Sequence, residues 1–379
     1  MKNGNNESRG NGFQWMAAEY VNNVEGIVND EAKMVKSGAT VMCIAAILGS
    51  TVALAIMGLV FCWGCPEWLP VVGVNPRVAF IRQLVWNAIG VSAFGLAAMF
   101  GWKRWLKYAP FVAIGWLVAC AAAFHCPSVN GDVMLWLGPI RIDIFTFLPL
   151  VSALMLAWLS EKLKIRAFPL LICTSIALLA VVSVKIVTNP NRIARLAMFF
   201  GGELSEEASR VQSAAACMQE QCRMAIESAH WFSGNVANLM DIPGRRTFAM
   251  SASAALLFGK WFVAVVCLLF GALACGVSYC FVGTKDEAKR SFAIVTGVGI
   301  LGMAATSYLG CLGVVPMVYK PVPLVSFGGV LAVMTWISVG VLISMLKDGG
   351  VALPSKWHGV AVAATCGAGT VALVALMGG

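Results

Sequence analysis

The sequence predicts an all-helical, polytopic integral membrane protein, and three observations carry that prediction. Of its 379 residues 12% are charged and 59% hydrophobic, with a mean hydropathy of +0.82, whereas a soluble protein carries about a quarter charged residues. Apolar runs long enough to cross a hydrocarbon core of roughly 30 Å recur along the chain. Lysine and arginine are concentrated in alternate connections between those runs. The alternating pattern of a membrane barrel, in segments of about ten residues, is not seen.

The runs lie near Val41–Cys62, Ala79–Phe100, Ala109–His125, Ile144–Leu159, Phe168–Val187, Ala249–Phe270 or slightly beyond, Phe292–Val315, Leu324–Leu346 and Val360–Met377. They make about nine helical spans. The net charge of +9 raises the question of a nucleic-acid partner, but the placement of the charges argues against one. The rich connections hold Lys103, Arg104 and Lys107; Lys162, Lys164 and Arg166; Lys285, Lys289 and Arg290; Lys347 and Lys356. The intervening ones hold only Arg77, Arg141 and Lys320. By the positive-inside rule the rich set is cytoplasmic, so the N-terminus is cytoplasmic and an odd number of spans leaves the C-terminus outside.

Residues 1–37 form a polar cytoplasmic segment in which Phe13, Met16, Ala17, Tyr20, Val21, Val24, Ile27 and Val28 recur at helical spacing. An amphipathic helix on the inner membrane face is expected there. The transmembrane domain occupies 38–346, with a long outer loop at about 188–248, and 347–379 supplies a linker and an extra C-terminal helix. Loops longer than about 15 residues are normally functional or disordered. In this one Leu204, Ala208, Val211, Ala215, Met218, Cys222, Ala225 and Ala229 recur at helical spacing, behind a Ser205 cap and the acids Glu206 and Glu207. A helix lying on the outer membrane surface is expected.

Thirteen cysteines would signal a disulfide scaffold in a small secreted domain, yet most fall in apolar spans, where Cys acts as a small hydrophobe. Cys65, Cys126, Cys217 and Cys222 fall on or near the outer face. Cys217 and Cys222 pair only if the chain bends between them, because a continuous helix turns them apart. No spacing suits a zinc site.

Near the C-terminal end the chain reads Leu312-Gly313-Val314-Val315-Pro316-Met317-Val318-Tyr319-Lys320-Pro321-Val322-Pro323-Leu324-Val325-Ser326-Phe327-Gly328-Gly329. Three prolines so close cannot be helix interior, because each lacks an N–H and disfavours helix at the residue before it. A Pro/Gly-rich re-entrant element between two spans is predicted. The prolines alone fit the turns of many transporters. The full spacing Pro-x4-Pro-x-Pro-x2-Ser-aromatic-Gly-Gly resembles the C-terminal signature of the shape, elongation, division and sporulation family, the FtsW/RodA/SpoVE proteins. Phe80-Ile81-Arg82-Gln83-Leu84-Val85-Trp86-Asn87-Ala88-Ile89-Gly90 is similar to the opening of that family's second helix. Snorkelling also accounts for Arg82, since a central charge costs about 2.5 to 3.5 kcal/mol. Trp102-Lys103-Arg104-Trp105-Leu106-Lys107-Tyr108-Ala109-Pro110 resembles the family's basic inner loop before a Pro-started helix. Asn130-Gly131-Asp132-Val133-Met134-Leu135-Trp136-Leu137-Gly138-Pro139 resembles its outer hairpin, without the two basic residues. Asn189-Pro190-Asn191-Arg192-Ile193-Ala194-Arg195-Leu196-Ala197-Met198-Phe199-Phe200 resembles the element after its seventh span. A pair of helices is missing relative to the family's usual ten, with its Gln-Pro-Asp segment. An even deletion preserves every later orientation.

The resemblance implies a bacterial cytoplasmic-membrane protein of cell-wall assembly. It would bind lipid II, the lipid-linked peptidoglycan precursor, at the outer face and polymerise it as a glycosyltransferase beside a class B penicillin-binding protein. Sugar transfer from a diphosphate needs a base on the attacking hydroxyl and cations near the departing phosphates. The family's loop ends in Leu-Pro-Glu-Ala-His-Thr-Asp-Phe-Ile-Phe, whose Asp is the favoured base. Here the stretch is Ile242-Pro243-Gly244-Arg245-Arg246-Thr247-Phe248-Ala249-Met250, with Phe248 at the Asp position. Asp241 is the nearest carboxylate and the candidate base, though a solvated turn acid has the same sequence. His230 is a further nominal base.

Arg192, Arg195, Arg245 and Arg246 form an outer-face cationic set suited to phosphate oxygens, and snorkelling accounts for them equally. Lys320 and Ser326 would line the same cavity, and Arg82, Gln83, Pro316, Pro321, Pro323, Gly328 and Gly329 carry the family signature. No cofactor motif is evident; a divalent cation on the diphosphate is compatible with the chemistry. A catalytically inactive scaffold for a penicillin-binding protein or other division or elongation partner, and a lipid or small-solute transporter, are the alternatives.

Overall fold

The computed structural model describes residues 38–64, 76–126, 134–137, 140–166, 169, 206–233, 249–315 and 321–348. The expected surface helix at Phe13–Val28, the spans Phe168–Val187 and Val360–Met377, and the candidates Arg192, Arg195, Asp241, Arg245, Arg246, Pro316 and Lys320 lie outside them, as does Phe248.

Seven helices among the described residues are long and apolar enough to cross a membrane. They are α1 Gly38–Gly64, α2 Pro76–Phe100, α3 Trp102–Phe124, α4 Leu148–Leu163, α7 Lys260–Gly283, α8 Glu287–Cys311 and α9 Gly329–Lys347. Between them lie α5 Glu206–Ser228 and α6 Met250–Phe258, and a hairpin of β1 Leu135–Leu137 with β2 Ile140–Ile142, registered Leu135 to Ile142 and Leu137 to Ile140. The described residues thus form a multi-pass helical bundle with a short hairpin. After the hairpin Asp143 accepts from the Phe145 N–H at 3.1 Å and starts the short turn that leads into α4.

α9 is the central helix: 78% of its apolar window lies inside the bundle, against 22% for α2 and for α3. Its partner along its length is α2, and small residues set how closely the two approach. The Trp336 ring covers Gly90, and Gly340 sits against the Phe94 carbonyl and Ala97. Trp336 Nε1 donates to Asn87 Oδ1 at 3.1 Å, and Asn87 Nδ2 donates to the Gln83 carbonyl at 3.0 Å. The Trp336 indole and the Asn87 amide, buried between the two spans, are in this way satisfied.

Three expectations are corrected. α3 begins at Trp102, with Pro110 inside it. Gly101, at φ 86, takes the chain sharply from α2 into α3, so Lys103, Arg104 and Lys107 occupy the first turns of a helix and are not a loop. The second correction concerns the apolar run Ala249–Phe270, which is two helices. α6 is short, with Met250 to Leu256 all buried, and ends at Gly259, φ 95. α7 starts anew at Lys260. Its first amide groups are held from outside the helix: Lys260 N–H donates to the His230 carbonyl at 3.0 Å and Trp261 N–H to that of Trp231 at 3.1 Å. Hydropathy cannot reveal this break, because both sides are apolar.

A Cβ at Gly259 would lie 2.6 Å from the Trp231 oxygen, on a backbone that L side chains rarely adopt. Gly259→Ala is therefore expected to destabilise the protein by about 2 kcal/mol or more, read as a lower unfolding temperature in detergent.

The third correction concerns the loop helix. α5 begins at Glu206, as the Ser205 signal predicts, but its inner face packs on protein and not on the membrane surface. Cys222, Ala225 and Ile226, with Ala229 just beyond, are buried in the main core. Their seat is α6 and the C-terminal end of α8, and Gln219 Nε2 donates to the Val315 carbonyl at 3.0 Å. Because α5 is unbroken, Cys217 is exposed while Cys222 is buried, and both are free thiols.

Candidate functional site

One end of the bundle is built around the turn at residues 321–328. Ser326 closes it on itself: its Oγ accepts from the Val322 N–H at 2.9 Å while its own N–H donates to the Val322 carbonyl at 3.1 Å. Val325 N–H donates to the Pro323 carbonyl at 2.8 Å. Leu324 takes a left-handed conformation, φ 65, which a branched side chain adopts only where its surroundings compel it. The surroundings are α1 and α2. Gly58 of α1 lies against the Leu324 and Val325 backbone, and Gln83 Nε2 of α2 donates to the Leu324 and Ser326 carbonyls at 3.5 and 3.4 Å. Gly329, the first residue of α9, packs under the Trp86 ring, and Gly328 lies against Pro321.

The structure therefore brings Gln83, Pro321, Pro323, Ser326, Gly328 and Gly329 into one assembly. It leaves Arg82 on the exposed face of α2. The assembly is packed closed: Val322, Leu324, Val325 and Ser326 are all buried, Ser326 at 1% exposure. This corrects the expectation that Ser326 lines a cavity. Its hydroxyl is used to hold the turn, so it is a positioning residue. Gln83 Oε1 is buried without a hydrogen-bond partner among the described residues.

Sequence reasoning missed Lys260, buried at the start of α7 beside His230 and Trp231. The available signal was a lysine within an apolar run, a costly placement that marks functional or structural sites. His230 itself is exposed.

Asp143, Glu161, Glu220, Glu227, Asp286, Glu287 and Asp348 are none of them buried. Two carboxylates of α5 are surface groups bound to one arginine: Arg223 meets Glu220 at 2.6 Å and Glu227 at 3.3 Å. The Arg223 hydrogen bond holds Glu220 below the usual carboxylate range, the opposite of what a base working near neutrality needs. The contribution of this pair is present above the unfolded carboxyl pKa and lost as pH falls through the lowered folded value. Hydrogen bonding to Cys311, and burial, push the Cys222 thiol up, which makes it inert as a nucleophile. Among the described residues no group of three or more His, Cys, Asp or Glu side chains is placed to hold a metal ion.

No family model matches the sequence, and neither does any curated protein. Solved structures match by fold. One is from a peptidoglycan synthase complex that coordinates polymerization and crosslinking: TM-score 0.59 and 18% identity over 80% of this chain and 97% of that one. Another is the rod shape determining protein RodA of Thermus thermophilus, with TM-score 0.57 and 16% identity over 80% of this chain and 96% of RodA. A point mutant of that RodA gives TM-score 0.57 and 17% identity, covering 80% and 97%. The chain has the FtsW/RodA fold.

Proposed function

We propose that this protein acts in cell-wall assembly at the bacterial cytoplasmic membrane, binding a lipid-linked disaccharide diphosphate at its outer end beside a class B penicillin-binding protein. The observation that carries the reading is the outer turn. A proline-rich segment locked by Ser326, Gln83 and Gly58 is the most sequence-specific feature of the chain, in a bundle that overlays 97% of a peptidoglycan synthase chain.

In the proposed site Arg192, Arg195, Arg245 and Arg246 meet the diphosphate, bidentate pairing being what guanidinium groups offer phosphate oxygens, with Lys320 beside them as a point charge. A divalent cation, if used, would be held mainly by the diphosphate itself. Polymerisation would join a sugar hydroxyl to the anomeric carbon as the bond to the diphosphate breaks. The proton goes to a base and the negative charge to the cation-held leaving group. Asp241 is the residue assigned to that proton.

The test is retention of labelled lipid II by purified protein in nanodiscs. Wild type should retain it, and the double variant Arg245→Ala/Arg246→Ala should weaken retention by about tenfold to a hundredfold. A wild-type protein that ignores lipid II while capturing a penicillin-binding protein would replace this reading with that of a scaffold, which Phe248 at the usual acid position favours.

A further inference from the structure

Two pairs of buried thiols meet across helices. Cys222 of α5 is hydrogen-bonded through its side chain to Cys311, the last residue of α8, and both are 0% exposed. Cys43 of α1 is hydrogen-bonded in the same way to Cys280 of α7. All four are free thiols in this structure. The two pairs lie at opposite ends of the bundle. Cys280 is close to the end of α7, at Gly283, and α8 begins at Glu287 after a short connection, so Cys280 sits near the start of α8. Cys311 finishes that helix, which has 25 residues and rises about 37 Å.

Little apolar surface holds α5, which is not one of the spans, to the bundle. From 217 to 229 the buried side chains are Gln219, Cys222, Ala225, Ile226 and Ala229. Of these Ile226 alone is a large hydrophobe, and burial stabilises roughly in proportion to apolar area. The opposite side of the helix, with Glu220, Arg223 and Glu227, is exposed. The Gln219 hydrogen bond to the Val315 carbonyl ties the same stretch of α5 to the chain just beyond Cys311. A crosslink at Cys222 therefore falls where a weakly packed helix meets its platform.

We propose that Cys222 and Cys311 are oxidised to a disulfide that staples α5 to the end of α8, while Cys43 and Cys280 stay reduced. The inference rests on the reading above, which puts the α5 end of the bundle outside the cytoplasmic membrane, where thiols are oxidised, and the Cys43 end at the cytoplasmic side, where they are kept reduced. The oxidant is a disulfide carrier of the extracytoplasmic compartment. One cysteine thiolate attacks a sulfur of the carrier's disulfide, and the second cysteine displaces the carrier from the mixed disulfide. The two cysteines give up two protons and two electrons, and the carrier leaves as a dithiol. Neither thiol is reachable once α5 is seated, so the exchange takes place while α5 docks and the finished bond is then shielded. It closes a loop of about 90 residues, long enough for a crosslink to restrict the unfolded chain strongly.

The experiment is peptide mapping of the full chain, made in bacterial cells with intact extracytoplasmic thiol oxidation, quenched in acid and alkylated under denaturing conditions without reductant. A linked Cys222–Cys311 peptide pair should be the main form of both residues, with Cys43 and Cys280 recovered alkylated. The same chain made in cells lacking the extracytoplasmic oxidant should carry free thiols at Cys222 and Cys311 and unfold about 5 to 10 °C lower in detergent. In a Cys222→Ala protein Cys311 should be recovered as a free thiol, and Cys43→Ala should leave the Cys222–Cys311 link unchanged. Cys217, exposed on α5, reports the side on which that helix lies, through labelling of intact cells by a membrane-impermeant maleimide.

Free thiols at Cys222 and Cys311 in cells whose Cys217 labels from outside would overturn the disulfide and leave the cell-wall reading standing. Free thiols with Cys217 labelled only after the membrane is breached would overturn both, since α5 would then face the cytoplasm. Oxidation of Cys43 with Cys280 to the same extent, or a Cys222–Cys311 link that forms equally without the oxidant, would show adventitious pairing of neighbouring thiols and overturn the proposal as well.

Discussion

Gly58→Ala is expected to lower the stability of the detergent-solubilised protein by about 3 kcal/mol, the upper end of what overpacking a core costs, and to abolish lipid II retention. The added Cβ would collide with the Leu324 carbonyl oxygen and lie 2.9 Å from Val325 Cα and 3.0 Å from the Val325 oxygen. These are backbone atoms, so no rotamer change relieves the contact. The turn cannot give way either. It is tied internally through Ser326 at 2.9 and 3.1 Å, held across to α2 by Gln83, and has Leu324 already in a left-handed conformation. Either α1 tilts away from the bundle or the turn comes apart, and both disturb the outer end. Gly49→Ala on the same helix is the control: a Cβ there meets nothing within 4 Å, and alanine is the better helix former. It should leave stability unchanged or slightly raised. Equal losses in the two variants would show that the turn is not what Gly58 is for.

That expectation depends on a feature legible in the sequence before any coordinates. Proline excludes helix, so Pro321 and Pro323 with Gly328 and Gly329 marked a shaped break, and the chain turns there. The spans were legible for the same kind of local reason, since hydropathy over a window reports what a lipid-facing helix must be. What stayed hidden depends on contacts distant in sequence. The division of one apolar run at Gly259 is compelled by the carbonyls of His230 and Trp231, which no window around 259 contains. The seat of α5 depends on Cys311 and Val315 lying where they do, and its alanine- and cysteine-rich face fits a protein platform as well as a membrane surface. Ser326 was legible as a marked position but not as a closed one. Its residue type suits either a ligand or a turn, and only the Val322 bond distinguishes them.

Asp241→Asn is expected to reduce polymer formation from labelled lipid II by about 10²- to 10⁴-fold, the range for losing a positioned general base, while leaving lipid II retention unchanged. The substitution keeps the shape and removes the lone pair that takes the proton, so it separates chemistry from binding. Asp241 is assigned because it is the nearest carboxylate in sequence to position 248. Phe248 occupies the position where the resemblance puts the acid, and an aromatic ring accepts no proton. Glu220 and Glu227 are surface groups committed to Arg223, and Asp143 caps a turn.

A complementary variant makes the outcome decisive. Phe248→Asp returns a carboxylate to the family position, and in a protein whose site is otherwise intact it should raise polymerisation and restore it in the Asp241→Asn background. If Asp241→Asn matches wild type and Phe248→Asp creates activity where none existed, the natural chain binds precursor without joining it. Its arginines would then serve presentation to a partner enzyme. If both single variants leave a robust polymerase untouched, the proton leaves by another group and the assignment of Asp241 is wrong.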